Sequence, residues 1–306
     1  LLIYDRGAPA GRLIWQVRAG ADPAAVSVLA TGELQHITPH LLPGDTAVLF
    51  TVRKRAMTWG DDEVVAQVLA TGQRKTLLTN ATDARYLAPG RLIFMRQGTL
   101  FAVPFDPDRL ELRGEPVAML AEVANSLLSV FDYSATGVGQ FAVSAIGDLA
   151  YIPEPVLAPP ENRLVTVDRT GRVEPLPAPA RSYIGPTRVS HDGRKLAVTI
   201  RSLTELGIWI YDLTQQTLTK LTPPGGEFSA PLWTPDGRRI AFRSVQSGVR
   251  TVAWQRAEGG APPELLIREW VSPGSWSPDG RELVVVKDSA IWGLDVTAEP
   301  PTLRSL

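Results

Sequence analysis

One phrase recurs three times in this chain and restricts what it can fold into. Its fullest copy is Leu232-Trp233-Thr234-Pro235-Asp236-Gly237-Arg238-Arg239-Ile240-Ala241-Phe242, which reads as a short strand, a tight turn and a second strand. The turn chemistry is specific. Proline presets φ at the first corner, aspartate bonds back to nearby amides, and glycine accepts positive φ. The β-branched and aromatic run that follows favours strand. The phrase returns as Ser275-Trp276-Ser277-Pro278-Asp279-Gly280-Arg281 and as Val189-Ser190-His191-Asp192-Gly193-Arg194, where histidine replaces the proline. Three copies of one hairpin predict a repeat protein.

The turn glycine sets the period. Copies fall at Gly44, Gly90, Gly147, Gly193, Gly237 and Gly280, at spacings of 46, 57, 46, 44 and 43 residues, although the three early markers lack Pro-Asp-Gly. The spacing matches the ~40–45 residues of a four-stranded propeller blade. The long interval contains Ala121 to Gly139, read as an inserted loop. A third-strand phrase also recurs, as Gly207-Ile208-Trp209-Ile210-Tyr211-Asp212-Leu213, Ala290-Ile291-Trp292-Gly293-Leu294-Asp295-Val296 and Leu100-Phe101-Ala102-Val103, and near the start as Leu13-Ile14-Trp15-Gln16-Val17. Period-2 segments are frequent, and no long stretch has helical periodicity.

The expected fold is therefore all-β, a β-propeller of four-stranded antiparallel blades. Seven blades are favoured, with six as the alternative. One domain is expected over residues 1–306, with an incomplete first blade at 1–30 and full blades at about 36–79, 81–121, 139–177, 184–222, 228–267 and 272–306. Leu1-Leu2-Ile3-Tyr4-Asp5-Arg6 reads as a strand entered midway and not as a signal peptide.

Composition narrows the function classes. The chain has no cysteine, so disulfides, thiolate metal sites and cysteine nucleophiles are ruled out. Its 31 Lys and Arg against 32 Asp and Glu give a net charge of −1 without a basic block, a poor basis for nucleic-acid binding. No apolar run reaches the ~18–20 residues of a membrane helix, so no membrane insertion is expected.

The phrases Gly98-Thr99-Leu100-Phe101-Ala102-Val103-Pro104-Phe105-Asp106, Gly114-Glu115-Pro116-Val117 and Gln140-Phe141-Ala142-Val143-Ser144, in order with the Pro-Asp-Gly hairpins, resemble the TolB-like β-propeller repeats over nearly the whole chain. The closest resemblance is to the extracytoplasmic propellers of bacterial receptor-type serine/threonine kinases. It implies a sensor or protein-interaction module of the bacterial envelope, outside the cytoplasm. The kinase phosphate loop, His-Arg-Asp loop and Asp-Phe-Gly are missing from these residues. The expectation is a chain that catalyses nothing itself, without cofactor or metal. Alternatives are a free periplasmic scaffold of the TolB kind, and a pore-centred hydrolase or the propeller half of a peptidase.

Candidate site residues follow from the repeat. Tyr183, Phe228 and Trp270 stand 9, 8 and 9 residues ahead of their motif aspartates, where an outer strand leads into the next innermost strand. Loops expected on the same face carry Arg53, Lys54, Arg55, Arg201, Arg243 and Arg250. Aromatic rings beside arginines compose a recognition surface, here at a channel mouth, for an unidentified protein or small molecule. Other groups read as structural or solvated. His36 and His40, four apart on a strand, stand roughly 13 Å from each other, too far for one ion. His191 sits at a turn corner. Asp61-Asp62-Glu63 lacks the alternation of a calcium loop. The aspartates 192, 236 and 279 read as turn formers, and Trp209 and Trp292 as packing between blades.

Overall fold

The computed structural model describes residues 1–8, 11–55, 57–127, 136–144, 148–154, 159–269 and 271–306. The turn marker at Gly147 and residues 128–135 of the inserted loop lie outside them. The regular secondary structure of the described residues is almost entirely antiparallel strand, and their one helical turn is a 3-10 turn at Pro43–Asp45. The all-β expectation and the four-stranded antiparallel blade both hold. Two compact units divide the chain, Leu1–Ala158 and Pro159–Leu306.

The first unit opens with a three-stranded sheet, Leu2–Ala8, Gly11–Val17 and Ala24–Ala25. A second sheet runs through Gln35–Leu41, Ala47–Arg53, Glu63–Val68 and Arg74–Thr79. A third joins Thr82–Leu87, Arg91–Arg96 and Thr99–Asp106, with Glu111–Leu112 and Val117–Leu120 both pairing the last of these. A short hairpin, Phe141–Val143 with Leu149–Tyr151, follows.

The second unit begins with another hairpin, Val165–Val167 with Val173–Pro175. Three four-stranded sheets succeed it. The fourth sheet is Tyr183–Val189, Lys195–Arg201, Leu206–Asp212 and Thr217–Lys220. The fifth is Glu227–Trp233, Arg239–Gln246, Val249–Arg256 and Glu264–Ile267. The sixth is Ser272–Trp276, Glu282–Lys287, Ala290–Asp295 and Thr302–Ser305. The stretch 139–177, expected as one four-stranded blade, thus carries two separate two-stranded hairpins.

Packing explains why second strands lack the alternation of a half-exposed sheet. Every residue of Ala47–Arg53 is buried. Side chains alternate across a strand, so Val48, Phe50 and Val52 enter one apolar cluster with Ile14, while Ala47 and Leu49 enter another with Phe94 and Phe105. The same split recurs in the fifth sheet, where Ile240 and Phe242 face one cluster and Ala241 the next. Each such strand is covered by a neighbouring sheet on both sides, the arrangement of stacked blades.

The N-terminal sheet repeats the outer half of a later one. Ile14 donates its amide to Ser27 Oγ at 3.0 Å and accepts from Val26 at 2.8 Å; Ile208 donates to Thr222 Oγ1 at 3.1 Å and accepts from Leu221 at 2.9 Å. Gly11–Val17 and Leu206–Asp212 each also touch the first strand of the next sheet in parallel, through Arg12 opposite Gln35 and Leu206 opposite Glu227. The strand holding Trp15 therefore occupies the same position as the strand holding Trp209.

Candidate functional site

The three Asp-Gly hairpins of the second unit share one bonding scheme. The amides of Gly193, Gly237 and Gly280 each donate at 2.9 Å to the carbonyl three residues back. The hydroxyls of Ser190, Thr234 and Ser277 each donate at 2.6 Å to Asp192, Asp236 and Asp279, whose same oxygen accepts the amide two residues on. Those hydroxyls also accept the amides of Lys195, Arg239 and Glu282. The hydroxyl bond, foremost, and the amide hold all three carboxyls below the usual carboxylate range. Histidine at 191 leaves this scheme intact.

Beside these turns lies a cleft of about 690 Å³. The fifth sheet supplies its two hairpins, Thr234 to Arg239 and Trp254 to Glu258. Lys195 comes from the fourth sheet, and Asp279, Gly280, Val296 and Thr297 from the sixth. Trp254 forms one wall. Its indole N–H donates to Glu264 at 2.9 Å, the Arg239 guanidinium lies 4.3 Å from its ring centroid, and Trp276 stacks with it at 6.4 Å and 21°. Arg239 is thereby committed, also standing 3.9 Å from Glu264. Lys195, Arg238 and Arg256 make no ion pair or side-chain hydrogen bond among the described residues. Sequence reasoning missed this cleft, which lies on the face of the repeat hairpins and not on the face where the candidates were sought.

The expected residues land elsewhere. Tyr183 is half-buried, donates its hydroxyl to the Pro179 carbonyl at 2.7 Å, and stands opposite Ile200, next to Arg201. Burial raises its phenol above the ordinary value. Phe228 is only 1 % exposed and meets Phe242 edge-on at 5.7 Å, a core position with no ring left for a ligand. Further along the same strand Ala230, at φ 55°, breaks the register between Ser229 and Leu232. Arg243 lies mid-strand opposite Ser229 and Val252, and Arg250 pairs with Val245. Trp270 lies outside the described residues.

In the first unit the two charged triplets neutralise each other. Arg53 Nε is 2.9 Å from Asp62, Lys54 Nζ 2.5 Å from Glu63 and Arg55 Nε 2.7 Å from Asp61. Arg53 and Asp62 are each 2 % exposed. The Arg53 guanidinium also lies 3.4 Å from the Trp59 ring centroid and donates to the carbonyls of Arg55 and Thr58. Burial pushes the Asp62 carboxyl up to about 6 against the pull of Arg53. Opposite charges flanking one short strand connection are a readable signal for this pairing. Arg53 is therefore buried beneath a loop and offers no open recognition surface.

The histidines also separate. His36 is fully buried, with Nδ1 2.7 Å from Ser27 Oγ and Nε2 2.9 Å from Glu33, and burial lowers its pKa. His40 belongs to a different neighbourhood, near Arg85 and Asp83, and burial lowers it likewise. No group of three or more His, Asp or Glu among the described residues is arranged to hold a metal ion, and no helix among them is long and apolar enough to cross a membrane.

No family model matches the chain. An uncharacterized peptidase, YuxL of Bacillus subtilis strain 168, is 35 % identical over 80 residues; the match takes in 26 % of this chain and 12 % of that protein. Similar solved structures include TolB from Acinetobacter baumannii, at 16 % identity and TM-score 0.34, covering 99 % of this chain and 60 % of that one. Puromycin hydrolase is similar at 13 % identity and TM-score 0.37, over 89 % and 47 %. Oligogalacturonate lyase is similar at 15 % identity and TM-score 0.38, over 100 % and 84 %. At such scores no residue or activity transfers. The neighbours are TolB-like; the tie to a kinase rests on the sequence resemblance alone. The expectation of a chain that catalyses nothing itself is corrected by the peptidase relative, which points to catalytic activity.

Proposed function

We propose that this chain is the β-propeller of a peptidase-type hydrolase and that it holds peptide for that reaction. The observation that carries the reading is the 35 % identity with a peptidase over 80 residues. The cleft beside the repeat hairpins supports it. Its volume lies in the range of small-molecule sites, its walls are hairpin turns and the strand ends beside them, and three cations in it make no ion pair or side-chain hydrogen bond among the described residues. Propeller blades suit this task, because strands fix the frame while hairpin ends vary.

The test is retention from a mixed-sequence pool of short peptides. The protein is incubated with the pool and separated by size, and co-eluting peptides and new termini are identified by mass spectrometry. Retained or cleaved peptides support the reading. A pool that emerges unbound and intact overturns it.

A further inference from the structure

We infer that the cleft of the second unit selects acidic peptide segments, with Lys195, Arg238 and Arg256 taking the ligand's carboxylates. This rests on the peptide-binding reading above and specifies its ligand. A cation held by a carboxylate of its own chain has little left to offer an anion. Of the four cations that line this cleft, Arg239 is held in that way, fixed on Trp254 and standing 3.9 Å from Glu264. Lys195 and Arg238 are near enough to the turn carboxylates Asp192 and Asp236 to help lower them, but none of Lys195, Arg238 and Arg256 makes an ion pair or side-chain hydrogen bond among the described residues, and all three line one cavity.

Three carboxyls share that lining, Asp236, Glu258 and Asp279. Asp236 and Asp279 each spend an oxygen on a turn hydroxyl and a turn amide, so much of their charge is already answered inside the hairpin. Glu258 and the outer oxygens remain, which disfavours a single dense anion. Separated carboxylates on a flexible backbone can meet the cations while avoiding these oxygens, and guanidinium forks suit carboxylate geometry. Trp254, Ala257, Pro235 and Val296 give an apolar floor for the stems of acidic side chains. At about 690 Å³ the cavity is far larger than one ion needs.

The experiment measures fluorescence anisotropy of a labelled Glu-Ala peptide titrated with the protein, beside a Lys-Ala peptide of equal length. The expected result is binding of the acidic peptide, weakened by added salt, with affinity for the basic peptide lower by about tenfold or more. Lys195→Gln, Arg238→Gln and Arg256→Gln together should abolish the preference. Arg238→Lys should retain part of it. The melting temperature checks that the triple variant remains folded, and the single variant Arg256→Gln is the fallback, expected to weaken binding several-fold. Unchanged affinity in the triple variant, or equal or tighter binding of the basic peptide, overturns the inference. A mixed pool that is retained without acidic enrichment sinks this inference alone, whereas a pool that passes unbound sinks the peptide reading beneath it.

Discussion

Arg53 and Asp62 are both charged and both buried, yet removing them should have unequal effects. Asp62→Ala leaves a guanidinium that cannot shed its proton in a dry site, and the expected loss is ~3–5 kcal/mol. Arg53→Met leaves a carboxyl that can take a proton, so the loss should be smaller in urea unfolding; an equal or larger loss would contradict the argument. The pH dependence has a definite sign. The folded-state value of Asp62, about 6, lies above the ordinary carboxylate value, so its contribution is full below about pH 4 and is lost as pH rises through about 6. Asp62→Asn should flatten the stability curve across that window. Of these residues the sequence showed the two triplets, whose opposite charges on either side of one short connection signal the pairing, but not that Arg53 and Asp62 would be buried by it. Phe228 was placed at a channel mouth by its offset from the turn, and an offset along the chain does not tell whether a ring faces solvent or a neighbouring sheet; here it is 1 % exposed.

The hairpin was the most legible element, since its turn, hydroxyl, aspartate and glycine interact within a few residues. Gly237 has φ 67° with open space where a Cβ would stand, so Gly237→Ala tests backbone strain alone. The expected loss is ~1–2 kcal/mol, and Gly237→Asn should lose less, because asparagine tolerates this region. A shift in denaturant midpoint measures both; a neutral alanine would mean the turn is not left-handed there. The depressed turn aspartates act in the opposite sense to Asp62. Their contribution is present above the ordinary carboxylate value and is lost as pH falls below it. The hairpins at 141–151 and 165–175 fall in different units, a division that the regular period does not show.

At the scale of the whole molecule, stability resides in strands covered on both sides. Phe242 is fully buried in the fifth sheet, and Phe242→Ala should lose ~3–5 kcal/mol. Val173, in the hairpin Val165–Val167 with Val173–Pro175, is 57 % exposed, and Val173→Thr should stay within ~0.5 kcal/mol of neutral. Thermal unfolding followed by circular dichroism separates the two, and comparable losses would deny the difference in coverage. Stacked sheets were legible from the repeat length and from third-strand tryptophans. The turn-face cleft was not, because its walls come from three successive sheets that are neighbours only in space.

The Asp-Gly hairpins satisfy their own polar groups with main-chain atoms and one hydroxyl–carboxylate pair. The residue just after the turn glycine is arginine in all three copies, Arg194, Arg238 and Arg281, and the turn's hydrogen bonds engage only its main chain, while its charge lies near the turn aspartate. A change of side chain there would alter the charge presented along the turn face while leaving the hydrogen bonds that shape the turn in place.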